Sequence, residues 1–148
     1  MKTHVFRLHP GQDLKKEIQG YAIRQNIAAG WIMTCVGSLS RVCLRFANQQ
    51  EATSLDGPFE IISLVGTISI NGSHLHLGVA DGKGNMTGGH LLDGNSVFTT
   101  AEIVLAEEKN LVFRRVEDSA SGWRELSIEA NHLLKTQRKD PEHKKSIR

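Results

Sequence analysis

Only one stretch of this chain has the period of an amphipathic helix, and it comes early. Leu14, Ile18, Tyr21, Ala22 and Ile27 fall mostly at three- and four-residue spacing, which predicts one helix of about four turns over roughly residues 12 to 29. Asp13 is its predicted cap and Gly30 its stop. Everything else that is apolar reads as strand. Residues 2 to 8 form a first run ended by Pro10-Gly11, and Trp31 to Arg41 and Val42 to Ala47 are β-rich. Asn48 to Pro58 is polar and reads as a loop. Phe59 to Asn71 carries large apolar groups in both alternating phases, the pattern of a mid-sheet strand covered on both sides. His74 to Ala80, Met86 to Leu91, Ala101 to Glu107, Leu111 to Val116 and Glu125 to Ala130 complete the set. Most connections are too short for parallel crossovers, so the expected fold is α+β, a mainly antiparallel sheet packed with one N-terminal helix.

A chain of 148 residues, 39% hydrophobic and 23% charged, has the size and composition of one soluble domain whose core needs no staple. Residues 1 to 130 are expected to form that domain. The segment 131–148 carries six basic residues against Asp140 and Glu142, so this tail holds +4 while the body holds −2 of the net +2. A basic tail of this kind is expected to be flexible and to attract phosphates weakly and in a salt-sensitive way, whereas the body lacks the charge of a duplex-gripping surface. No apolar stretch is long enough to span a bilayer, and Met1 to Arg7 lacks the apolar run of a signal peptide, so a cytoplasmic location is expected. Cys35 and Cys43 lack CxxC spacing and read as reduced core thiols.

The chemistry concentrates in one hairpin. In His74-Leu75-His76 the two imidazoles stand on the same face of a strand about 6.8 Å apart. Asp81-Gly82-Lys83-Gly84-Asn85 reads as a turn, and pairing symmetric about Lys83 sets His90 opposite His76. Three neutral imidazoles suit a divalent transition metal, most often zinc, and leave a coordination position for water or a ligand. The simpler alternative is a set of polar hairpin residues bonded to their neighbours. Gly88-Gly89 beside His90 fits either a close backbone approach or an ordinary hairpin.

Other candidates are weaker. Glu60 is an available base if the site is catalytic, though satisfying a neighbouring strand is the better reading. Arg45 suits an anionic substrate or an ion pair with Glu60, and the pairing is the better reading. Ser38 and Ser40 lack a Ser/His/Asp pattern, and Gly82-Lys83-Gly84 is too short for a phosphate loop. Trp31 and Trp123 read as core or interface anchors.

Several segments together resemble the plant and prokaryote conserved (PPC) domain family. Gly57-Pro58-Phe59-Glu60-Ile61-Ile62-Ser63-Leu64 is similar to its Gly-Arg-Phe-Glu-Ile-Leu-Ser-Leu segment, with Pro58 in place of arginine. Gly37-Ser38-Leu39-Ser40, Leu44-Arg45-Phe46-Ala47, His74-Leu75-His76, and Gly88-Gly89-His90-Leu91 followed by Gly94 occur in the family's order. The resemblance covers roughly residues 3 to 130. It implies a PPC-like α+β subunit forming a homotrimer, with a groove near the subunit interfaces. It also implies a DNA-binding or regulatory role, although the Arg-Gly-Arg-Pro hook of the plant members does not occur in these residues. Two functions follow as expectations: a trimeric binding module associated with DNA or transcriptional regulators, or a zinc-dependent enzyme or small-molecule sensor acting between subunits.

Overall fold

The computed structural model describes residues 1–131; of the basic tail, all but Asn131 lies outside the described residues. The chain runs β1 (Lys2–Leu8), α1 (Leu14–Arg24), β2 (Gly30–Arg45), β3 (Thr53–Ser69), β4 (Gly72–Asp81), β5 (Met86–Leu91), β6 (Ser96–Glu107), β7 (Leu111–Asp118) and β8 (Trp123–Ala130). Six strands form one sheet in the order β1-β6-β2-β3-β4-β5, and β5 pairs back onto β2 through Leu44↔Leu91 and Arg45↔His90. Strands β2 to β5 therefore close on themselves. Strands β7 and β8 form a separate two-stranded ribbon. All these pairings are antiparallel, as expected.

Helix α1 starts where its cap predicts, with the Asp13 carboxylate accepting from the Lys16 amide at 3.0 Å. Leu14, Ile18 and Ala22, four residues apart, are fully buried against the sheet. Burying a leucine or isoleucine this way contributes about 1.5–3 kcal/mol. The helix is shorter than its apolar spacing suggests. Asn26 takes a left-handed conformation at φ 52°, and the Ile27 amide donates to the Ala22 carbonyl, so Ile27 enters the core from a turn.

Two further expectations need correction. The run Asn48 to Pro58 is loop only as far as Ala52, because β3 begins at Thr53, with Thr53 to Asp56 pairing Leu44 to Arg41. Strand β3 does lie centrally, between β2 and β4, yet only one of its faces is covered. A bulge between Ile61 and Ser63 shifts the alternation, and Ile62 and Val65 are left exposed. Cys35 is buried and Cys43 half-buried, both as free thiols, and burial pushes the Cys35 thiol up to about 12.

Candidate metal centre

Strands β4 and β5 pair His76↔His90, Leu77↔Gly89 and Gly78↔Gly88, the register that a turn centred on Lys83 dictates. The turn is held by Asp81, whose carboxylate accepts from the Lys83 and Asn85 amides at 2.8 and 2.9 Å. Two backbone approaches shape the sheet here. At Gly66, opposite Leu75 with φ 137°, an added Cβ would lie 2.0 Å from the His74 carbonyl oxygen; at Gly89 it would lie 2.7 Å from the Arg45 carbonyl oxygen. Gly89 thus lets β5 lie close against β2, which brings His90 alongside Arg45.

His74, His76 and His90 converge. Their ring centroids are 5.0 to 5.6 Å apart, and one nitrogen of each lies within 4.8 Å of the others. The Nε2 atoms of His74 and His76 are 3.2 Å apart. Two imidazole nitrogens bound at about 2.0–2.1 Å to a tetrahedral zinc are about 3.4 Å apart, close to the His74–His76 spacing, and three imidazoles are a donor set that suits that ion. Two of the rings, His74 and His90, are biased toward the neutral form. Burial first, then the charges of Arg115 and His76, holds His74 below the usual histidine range; Glu125 acts in the opposite direction. Burial, followed by the charges of His74 and Arg45, pushes His90 down to about 4. Neutral imidazole is the form that ligates metal.

The ribbon β7–β8 builds the far wall. Phe113 is the anchor: its carbonyl accepts from Ser69 Oγ at 3.0 Å and Asn71 Nδ2 at 2.8 Å, and its amide donates to the Ala28 carbonyl at 2.8 Å. Arg115 Nη2 donates to Thr67 Oγ1 at 2.5 Å. Trp123 faces Arg45, whose guanidinium carbon sits 4.4 Å from the ring centroid. Between ribbon and sheet lies a groove whose two lobes measure about 730 and 500 Å³. His74, His90, Arg45 and Trp123 line both.

The other sequence candidates fall elsewhere. Glu60 pairs with Ala80, four residues along β4 from His76 and hence about 13 Å away, and it makes no ion pair with Arg45. Among the described residues the carboxylate that lines the groove is that of Glu125. Ser38 is buried and bonded to Thr99 at 2.6 Å, and Ser40 donates to the Ser96 carbonyl at 3.3 Å, so both hold strands together. Trp123 is not a core residue, at 57% exposed. Sequence reading missed Arg115, Trp123 and Glu125 as site residues, because some 25 to 35 positions separate them from His90 and no local spacing ties them to it. Their one signal is the alternation that marks Leu111 to Val116 and Glu125 to Ala130 as strands.

Known proteins share this arrangement of strands. The bifunctional protein GlmU of Synechococcus sp. (strain JA-3-3Ab) is 46% identical over 129 residues, which are 87% of this chain and 21% of that protein. The chain therefore spans about a fifth of the length of the curated relatives it matches. A hypothetical protein from Salmonella cholerae-suis superposes with a TM-score of 0.85 at 43% identity, covering 87% of this chain and 94% of that one. A metal-containing protein from Archaeoglobus fulgidus superposes at 0.72 with 26% identity, covering 86% and 94%. The family model for the Plants and Prokaryotes Conserved (PCC) domain matches residues 1–109, a span that holds α1, the closed strands and all three histidines, and the chain belongs to that family.

Proposed function

We propose that His74, His76 and His90 hold a divalent metal, zinc, and that the chain binds a small molecule in the adjoining groove, as a sensor or an enzyme. The observation that carries this reading is the convergence of three imidazole nitrogens within 4.8 Å at the junction of two lobes of a groove. A bound zinc supplies Lewis-acid polarisation of a ligand oxygen. The chain's own residues do the rest: Arg45 and Arg115 supply positive charge to the groove, Trp123 forms an aromatic wall, and Glu125 is the carboxylate placed to accept a proton. The Archaeoglobus relative, described as metal-containing, supports the same reading.

The test is metal content. Untagged full-length protein, purified without chelator, is expected to carry or take up about one zinc per chain, and His76→Ala to lose it. Wild-type protein that takes up no added zinc overturns the proposal, as does unchanged tight uptake by the variant.

The functional unit we infer is a homotrimer of a folded domain spanning residues 1–130, located in the cytoplasm. Exposed apolar side chains on β2 and β3 support assembly, and no helix among the described residues is long and apolar enough to cross a membrane. DNA, the partner implied by the family resemblance, is assigned to the basic segment 131–148 and not to the folded surface.

A further inference from the structure

Adjacent arginines on β7 are provided for differently. Arg114 points outward and its Nε meets both carboxylate oxygens of Glu129 at 2.9 Å. Arg115 points to the groove and has a hydroxyl partner, Thr67, but no carboxylate within ion-pair distance among the described residues. Arg45, half-buried on β2, also lacks an acidic partner there and rests on the Trp123 ring. Arg124 lies beside them, donating to the Arg115 carbonyl at 2.6 Å. Among the described residues Glu125 is the single acidic one lining the larger lobe, against these three guanidinium groups. Like charges held together at a partly desolvated wall repel one another, and a divalent metal at the histidines adds to the excess.

We propose that this groove takes a small organic dianion, one oxyanion group of which is bound by Arg45 and Arg115 while the remainder reaches the three-histidine centre. The proposal deepens the metal reading and rests on it for the second contact. Guanidinium groups match carboxylate and phosphoryl oxygens in shape as well as charge. A lobe of about 730 Å³ falls in the range of small-molecule sites and exceeds what an inorganic ion needs. Asn71 and Ser73 add neutral polar groups to the same wall. Arg115, Trp123 and Glu125 all come from the ribbon, beyond the residues 1–109 that match the family model. One wall of the groove thus comes from the ribbon, while Arg45 and the three histidines come from the sheet.

Calorimetric titration of the zinc-loaded full-length chain at fixed ionic strength tests this, with succinate as the dicarboxylate probe and methylphosphonate as the phosphoryl probe. At least one is expected to bind saturably, one per chain, and the tighter of the two identifies the anion class. Arg45→Gln and Arg115→Gln are each expected to weaken it about tenfold or more, with zinc content unchanged as the check on folding, whereas Arg114→Gln leaves it as in wild type. If neither probe binds saturably, or if binding survives both groove substitutions undiminished, the proposal is overturned. A chain that takes up no zinc defeats the metal reading alone. The same titration of the metal-free chain then decides the anion subsite, where loss of saturable binding in Arg45→Gln supports it and its persistence overturns it.

Discussion

At the scale of single residues, the histidine cluster couples the stability of the metal-free chain to pH. His90 titrates near 4 in the folded chain and near 6.5 when unfolded, so between these values the unfolded state binds more protons. Stability then rises with pH through that window and is lost as pH falls through it. His74 is displaced in the same direction. Thermal unfolding of chelator-treated protein is expected to show a midpoint falling from about pH 6.5 toward pH 4, and His90→Gln is expected to flatten that slope; an equally steep slope in the variant contradicts the assignment. These three histidines were legible in the sequence because their geometry is local. A two-residue strand spacing and a turn symmetric about Lys83 are enough to face His76 to His90. Glu60 shows the limit of such reading. Chemistry alone makes it a candidate base, while its distance from the cluster depends on how far along the β3–β4 ladder it falls.

Among the elements, the ribbon β7–β8 matters most for the groove and is the least anticipated from sequence. Both strands are foreseen, but their seat on the β3–β4 turn depends on Ser69 and Asn71 reaching the Phe113 carbonyl more than forty positions away. Helix α1 and the start of β3 fail for related reasons. Ile27 keeps a helical spacing although Asn26 has already turned the chain, and Thr53 to Asp56 look like loop until β2 offers them a partner. Asn71→Ala removes one of the two side-chain bonds to the Phe113 carbonyl and is expected to cost about 1 kcal/mol. It should speed amide exchange across residues 111–130 while zinc content stays at the wild-type value. Unchanged exchange there means that the ribbon is held by its other contacts, chiefly Phe113 and the Arg115–Thr67 bond.

For the whole molecule, apolar surface and charge make separate predictions. Strands β2 and β3 pair at Gly30↔Ile68 and Trp31↔Thr67 and again at Ser38↔Glu60 and Leu39↔Phe59, and between these pairs they carry Met33 and Val36 on β2 and Ile62 and Val65 on β3. All four are 51–56% exposed. An apolar patch crossing two central strands of a sheet is the kind of surface that another subunit covers. Light scattering coupled to gel filtration is expected to give three chains per particle, and Val36→Glu to reduce it to monomer; a wild-type monomer at micromolar concentration rejects the assembly. Charge bears instead on DNA. The body carries −2 and residues 131–148 carry +4, so duplex binding should be weak, indifferent to sequence and confined to the basic segment. With six cations in that segment, raising salt from about 50 to 200 mM should cost up to about a thousandfold in affinity, because each phosphate neutralised releases counterions that salt opposes. Titrating fluorescent A·T-rich and G·C-rich duplexes with full-length and 1–130 protein checks this. Truncation is expected to remove most of the binding and leave metal content and the number of chains per particle as they were, since the three histidines and the exposed apolar residues of β2 and β3 all lie within residues 1–130. Tight, sequence-selective binding that survives truncation and salt would mean that a folded surface reads DNA despite its net negative charge.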